Sequence, residues 1–158
     1  MKKNHDKIKI CFTASSGGHL EELACLSEIE TDYDSFLVTE SGSFNELKFG
    51  QNTYYVKQIN RKEFNFIIKF LVLFIRAITI INKEKPHVII STGALATYPF
   101  CLVGKILGKK VIYVESFARV DNPSLTGKLV YKFADLFIVQ WEELLKYYPK
   151  AVYTGGIF

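Results

Sequence analysis

Strand-like and helix-like patterns alternate along the whole of this chain. Apolar, β-branched runs predict strands at residues 7–13, 34–39, 53–57, 87–91, 110–115, 135–139 and 151–153. Helical patterns lie between them, at residues 19–29, 44–49, 64–81, 96–107, 123–133 and 141–148. This alternation is typical of an α/β protein with a doubly wound, mostly parallel sheet. A length of 158 residues favours a single domain over residues 1–158.

The composition is that of a globular protein. Hydrophobic residues make up 49% of the chain, and a net charge of +4 is only weak support for a nucleic-acid or membrane partner. Cys11, Cys25 and Cys101 are widely spaced, which predicts buried thiols in a reducing compartment and no zinc site. The polar N-terminus lacks the apolar core of a signal peptide, so we expect a cytoplasmic protein.

A turn of small residues follows the first predicted strand and carries a histidine. The turn contains Ser16, Gly17 and Gly18, and His19 begins the helix that follows. Free backbone N–H groups at a helix N-terminus suit an anionic group, which makes the turn a candidate binding loop. In the alternative, the glycines only supply the positive φ that a tight strand-to-helix connection needs. The residues alone leave both interpretations open.

A ligand site is expected beyond the carboxyl ends of the strands. In a doubly wound sheet it lies where the strand order reverses, which the order 3-2-1-4-5-6 places between the first and fourth strands. The loops there bring together polar residues and a glycine, namely His19, Thr92, Gly93, Glu115 and Arg119. His19 and Glu115 are candidate acid/base groups, and Arg119 could pair with a phosphate. Alternatively, His19 donates to a backbone carbonyl and Glu115 pairs with Arg119.

Known nucleotide and catalytic fingerprints do not occur in this sequence. It contains no GxGxxG after the first strand, no GxxxxGK[ST], no GxSxG and no histidine–cysteine cluster with metal-ligand spacing. The residues therefore predict an anion-binding cleft without naming a reaction.

The segment 64–81 is almost entirely apolar. The basic residues Lys62, Lys69, Arg76 and Lys83 recur every seven positions, which predicts one narrow stripe along a helix. A membrane-spanning helix is disfavoured because two charges lie inside the segment. Either the helix packs on the sheet and Lys69 and Arg76 reach water, or its apolar surface rests in a lipid interface. In the second case Lys62, Lys69 and Arg76 would contact lipid headgroups.

Several motifs, in this order and spacing, resemble the acceptor-side subunit of split glycosyltransferases. They are Ser15–His19, Ser91–Gly93, Tyr113–Val120 and Gly127–Lys128, and the similarity covers nearly the whole chain. That family includes capsule and exopolysaccharide proteins of the PssD/CpsF type and the Alg-fourteen-type subunit of the eukaryotic N-glycan GlcNAc transferase. The N-terminal half of MurG is more distantly similar.

The resemblance implies a Rossmann-like domain that corresponds to the N-terminal half of a GT-B fold. A separate donor-binding subunit would hold most of the UDP-sugar, so this chain would need no metal or cofactor of its own and would not bind nucleic acid. The acceptor would be a polyprenyl-diphosphate-linked sugar in capsular or exopolysaccharide synthesis. The protein would sit peripherally on the inner face of the cell membrane.

The resemblance also implies roles for individual residues. His19 or Glu115 would be the general base, and substrate would contact the glycine turn and the neighbouring loops through Ser16, Gly17, Gly18, Thr92, Gly93 and Arg119. Two alternatives remain. The chain could be a non-catalytic membrane scaffold that activates a partner glycosyltransferase, or an independent phosphate-binding enzyme.

Overall fold

The computed structural model describes residues 8–42 and 50–157, and these contain a seven-stranded sheet whose strand pairs are all parallel. The strands are β1 (Lys9–Ala14), β2 (Asp34–Glu40), β3 (Asn52–Val56), β4 (Val88–Gly93), β5 (Lys110–Val114), β6 (Leu136–Val139) and β7 (Val152–Tyr153). Their order is β3-β2-β1-β4-β5-β6-β7, which confirms the predicted order and extends it by one strand. The short helix expected at 44–49 lies outside the described residues.

Three of the helices are shorter than the sequence pattern predicts, whereas the helix expected at 64–81 spans Phe66–Glu84 and is one residue longer. The helices are α1 (Gly18–Ala24), α2 (Phe66–Glu84), α3 (Tyr98–Ile106) and α4 (Leu125–Val130). Three 3₁₀ segments accompany them, at Ser27–Thr31, Leu95–Thr97 and Glu142–Lys146. The last of these replaces the helix predicted over 141–148.

The dipeptide Asn122-Pro123 predicts that Asn122 caps α4, and this prediction is wrong. Ser124, rather than Asn122, caps the helix, because its Oγ accepts a hydrogen bond of 2.8 Å from the Gly127 N–H. Ser124 is extended, and its own N–H donates to Glu115 Oε2 at 3.1 Å. This tertiary bond holds Ser124 outside the helix and so fixes where α4 begins.

Two apolar cores lie on the two faces of the sheet, because successive strand side chains point to opposite faces. The larger core packs residues such as Cys11, Phe36 and Ile89 against α2, α3 and α4. The smaller core packs residues such as Phe12 and Leu37 against α1. Cys11 and Cys101 are buried as expected, whereas Cys25 is exposed just beyond the end of α1.

Helix α2 buries one side and leaves the other open. Leu73, Ala77 and Ile81 are buried, and ring contacts of 5.5 and 5.2 Å join Phe66, Phe70 and Phe74. Six apolar residues on the opposite side are 46–70% exposed, and we call them the outer α2 face: Ile67, Ile68, Leu71, Val72, Ile75 and Ile78. Among the described residues, no helix is long and apolar enough to cross a membrane.

The basic stripe is shorter than predicted. Because α2 begins at Phe66, Lys62 lies in the segment before the helix and not on it. Lys69, Arg76 and Lys83 remain on α2, seven residues apart, along one edge of the outer α2 face. Lys69 forms an ion pair with Glu63.

Candidate functional site

A cleft of about 820 Å³ opens beyond the carboxyl ends of the central strands. Its walls come from the turns after β1 and β4, the end of β2, the segment before α2 and the loop after β5. This is the reversal of strand order between β1 and β4, where ligands bind in doubly wound sheets. Of the predicted site residues, the structure brings His19, Arg119 and Lys62 into the lining of this cleft.

His19 lies at the start of α1 and is oriented by the end of β4. Its Nδ1 is 2.8 Å from the carbonyl oxygen of Thr92, and the Thr92 hydroxyl donates to the His19 carbonyl at 2.6 Å. A carbonyl oxygen can only accept, so Nδ1 carries the hydrogen. In the neutral ring, Nε2 is then left as a proton acceptor, which is the form that a general base requires.

Thr92 and Gly93 hold His19 instead of lining the cleft. Thr92 is completely buried. Gly93 has φ +104°, and a Cβ there would lie 3.1 Å from His19 Cε1 and 3.2 Å from the Tyr113 hydroxyl oxygen. Neither position belongs to the cleft lining and both lie against His19, so a direct substrate contact at these two positions stays a prediction.

The glycine turn is at the edge of the cleft. Gly17 has φ +79°, which glycine adopts without strain, and both Gly17 and Gly18 are exposed while Ser16 is half-buried. From this turn it is Ser15, together with His19, that lines the cleft. The turn thus serves the tight connection, and its open backbone remains available beside the cleft.

Glu115 lies beneath the cleft and is completely buried. Its Oε2 accepts hydrogen bonds from the Tyr148 hydroxyl at 2.8 Å and the Ser124 N–H at 3.1 Å, and its Oε1 accepts one from the Ser116 N–H at 3.1 Å. Burial raises the pKa of Tyr148, so its phenol stays protonated and donates. The expected position of Glu115 at the cleft surface is wrong, because α4 and Tyr148 cover the carboxylate. Among the described residues, Glu115 forms no ion pair with Arg119.

The loop after β5 carries Arg119 and is held by a second buried carboxylate. Glu22 of α1 is only 4% exposed, and its Oε1 accepts from the Ser116 hydroxyl and the Phe117 N–H, both at 2.9 Å. Within the described residues, Glu22 Oε2 has no hydrogen-bond partner. Sequence analysis missed Glu22, although it follows His19 by three residues and therefore lies on the same side of α1.

Glu40 is a second residue that the sequence analysis missed. It ends β2, lines the cleft and is 5% exposed. The pKa of Glu40 is raised because burial outweighs the hydrogen bonds from the Ile59 N–H and Ser16, which lower it. Its position at the end of a strand beside β1 was the signal that could have identified it.

The side chains around the cleft suit an anion better than a metal ion. Among the described residues, no three His, Cys, Asp or Glu side chains are grouped to hold a metal. Arg61, Lys62 and Arg119 instead place three cations in the lining.

The buried Glu22 predicts a specific dependence of stability on pH. Burial raises its pKa above the ordinary 4.5, so the folded chain binds more protons than the unfolded chain as the pH rises from 4.5. The free energy of unfolding contributed by Glu22 therefore falls with rising pH over this interval. For Glu22→Gln, urea unfolding should show a smaller fall in the free energy of unfolding between pH 4.5 and 7. The exposed neighbour variant Glu21→Gln should keep the wild-type slope, and equal slopes in all three proteins would contradict the prediction.

Solved structures identify the fold class of this chain. The chain superimposes on MurG from Acinetobacter baumannii with a TM-score of 0.69 and 15% identity, covering 84% of this chain and 41% of MurG. The superposition on UDP-N-acetylglucosamine 2-epimerase from Rickettsia bellii gives a TM-score of 0.75 and 14% identity, and it covers 96% of this chain and 45% of the epimerase. The chain thus spans less than half of each of these proteins. Its fold is the Rossmann-like domain that corresponds to the N-terminal half of a GT-B fold.

The family follows from the sequence. Residues 10–157 match the family described as "Oligosaccharide biosynthesis protein Alg14 like", and the chain belongs to this family. It is 30% identical over 179 residues to the UDP-N-acetylglucosamine transferase subunit ALG14 of Yarrowia lipolytica, covering 98% of this chain and 83% of that protein. The human ALG14 subunit is 28% identical over 183 residues, and the alignment covers 96% of this chain and 84% of the human protein. The family resemblance seen in the motifs is therefore confirmed.

Proposed function

We propose that this chain is the acceptor-side subunit of a two-component glycosyltransferase that uses a UDP-sugar. The observation that carries the proposal is the match over residues 10–157 to the Alg14-like family, whose relatives are named UDP-N-acetylglucosamine transferase subunits. A second polypeptide binds the donor, and this chain binds a polyprenyl-diphosphate-linked sugar. The sequence resemblance to PssD/CpsF proteins supports a place in capsular or exopolysaccharide synthesis.

The cleft supplies the acceptor half of a displacement reaction. His19 Nε2 accepts the proton of the acceptor hydroxyl, and the hydroxyl oxygen forms a bond to C1 of the donor sugar. The bond between C1 and the phosphate oxygen breaks, and UDP leaves with the electron pair, which inverts the configuration at C1. Thr92 holds the ring that takes the proton, and Glu22 and Glu115 hold the loop that carries Arg119.

The outer α2 face supplies a membrane contact. Its six apolar side chains are exposed side by side along 12 residues of one helix, with Lys69, Arg76 and Lys83 at one edge. Apolar residues flanked by cations are typical of a helix that lies in the interface of an anionic membrane. A peripheral position on the inner face of the cell membrane would bring the cleft to a lipid-linked acceptor.

Charge reversal on α2 tests this membrane contact. We expect Lys69→Glu with Arg76→Glu to lower binding to anionic vesicles at least about 10-fold, because each basic residue near such a surface contributes about 1 kcal/mol. Vesicle sedimentation measures the binding. The control is Lys132→Glu with Lys150→Glu, which reverses the same charge in the exposed segments before β6 and β7. Unchanged binding of the folded α2 variant would refute the lipid contact.

Reconstitution with the donor-binding partner tests the proposed function. The pair should transfer sugar from UDP-GlcNAc to a polyprenyl-diphosphate-linked sugar, and this chain alone should transfer none. If the partner alone turned over slowly and the His19→Ala chain accelerated it as well as the wild type does, the chain would be a scaffold. Transfer by the isolated chain would show an independent enzyme and overturn the proposal.

A further inference from the structure

The segment between β3 and α2 connects the cleft to the outer α2 face. Arg61 and Lys62 of this segment line the cleft, and both are exposed. Two residues later, Phe64 is fully exposed to solvent, and α2 begins at Phe66. A charged wall of the cleft therefore continues within a few residues into an exposed apolar surface.

Cations reach the cleft from two sides. Arg61 and Lys62 follow β3, whereas Arg119 follows β5, and the strand order places β2, β1 and β4 between those two strands. All three cations belong to the lining of one cleft. Positive charge therefore flanks the cleft at both of these walls.

The carboxylates of the lining do not cancel this positive charge. Glu63 pairs with Lys69 of α2. Glu40 is buried and accepts a hydrogen bond from the Ile59 N–H at 3.3 Å. Arg61, Lys62 and Arg119 form no ion pair with an acidic residue among the described residues. These three side chains are therefore free to meet an external anion.

We propose that Arg61 and Lys62 bind the diphosphate of a lipid-linked acceptor, with Arg119 contacting it from the opposite wall. The isoprenoid chain leaves the cleft past Phe64 and lies along the outer α2 face, and the sugar points towards His19. The planar guanidinium of Arg61 can donate two parallel hydrogen bonds to phosphate oxygens, and the ammonium of Lys62 adds a compact positive charge. This inference rests on the proposed function, and it reassigns Lys62 from the membrane stripe to the acceptor site.

Binding of short prenyl phosphates to the full chain tests the assignment. The wild type should bind farnesyl diphosphate at least about 10-fold more tightly than farnesyl monophosphate. In Arg61→Gln with Lys62→Gln, the Kd for farnesyl diphosphate should rise roughly 10- to 100-fold, a factor of about 3 to 10 for each of two solvent-exposed contacts. The preference for the diphosphate should then largely disappear. Isothermal titration calorimetry measures all of these constants.

A matched variant separates a specific site from general charge. Lys132→Gln with Lys150→Gln removes the same charge outside the cleft lining and should keep the wild-type preference. If Arg61→Gln with Lys62→Gln kept that preference while the wild-type pair transferred sugar, the assignment would be wrong and the proposed function would stand. If wild type did not distinguish the two ligands, the assignment would also be wrong. Failure of the wild-type pair to transfer sugar would be a separate result against the proposed function.

Discussion

Replacing His19 with alanine is expected to lower the turnover of the reconstituted transferase by about 10²- to 10⁴-fold, the usual contribution of a positioned general base. The reason is geometric. The 2.8 Å bond from Nδ1 to the Thr92 carbonyl fixes the tautomer, which leaves Nε2 as the proton acceptor in the cleft. The KM for the acceptor should change much less than kcat, because the proposed phosphate contacts come from other residues.

An asparagine at position 19 separates orientation from chemistry. The amide of His19→Asn can still donate towards the Thr92 carbonyl, but it cannot take a proton at neutral pH. Steady-state kinetics should therefore show a loss of turnover close to that of His19→Ala. Gel filtration should show that the variant assembles with its partner as the wild type does. Wild-type turnover in both variants would remove His19 from the chemical step.

Replacing Glu115 with alanine is expected to destabilise the chain by about 3 kcal/mol or more, since a buried polar group left without its partner costs about 1–3 kcal/mol. Three buried or half-buried donors would lose their acceptor: the Tyr148 hydroxyl and the N–H groups of Ser124 and Ser116. The bond to Ser124 also fixes the start of α4, so its loss should loosen the loop that carries Arg119.

Urea unfolding of the isolated chain measures this effect. The exposed residue Glu142 offers a matched control, and Glu142→Ala should change the free energy of unfolding by less than about 0.5 kcal/mol. A Glu115→Ala chain as stable as the wild type would contradict the structural role derived from the buried hydrogen bonds. If that stable variant were also inactive, Glu115 would return as a candidate base.

The strand order and the place of the cleft could be predicted because they depend on local patterns. Long apolar runs identify central parallel strands, and a loop after such a strand must lie at the carboxyl edge of the sheet. This was enough to bring His19 and Arg119 to one cleft. It was also enough to predict α2 as one long helix with an apolar surface.

Other features depend on contacts between distant residues, which no local pattern contains. Asn122 and Ser124 are both good capping residues, and only the bond from Ser124 to Glu115 decides between them. The sequence pattern places Glu115 at the end of β5. Whether its side chain lies at the surface or in the interior depends on the same tertiary bond. The spacing from His19 places Glu22 on the same side of α1, but its role arises only when α1 packs against the loop after β5.

Lys62 shows how a helix boundary changes a functional interpretation. The seven-residue spacing predicted that Lys62 belongs with Lys69 and Arg76, but the helix starts four residues after it. The residue therefore lines the cleft instead of extending the edge of the outer α2 face. The spacing identified Lys69, Arg76 and Lys83 on α2, and only the structure separated the fourth cation from them.

The most direct test of the acceptor-side assignment is equilibrium binding of two ligands to this chain without its partner. One ligand is a short-chain polyprenyl-diphosphate-linked sugar, and the other is UDP-GlcNAc. We predict measurable binding of the lipid-linked sugar and at least about 10-fold weaker binding of UDP-GlcNAc, a difference of 1.4 kcal/mol or more. Preferential binding of UDP-GlcNAc would contradict the assignment, because this chain would then be the donor-binding half.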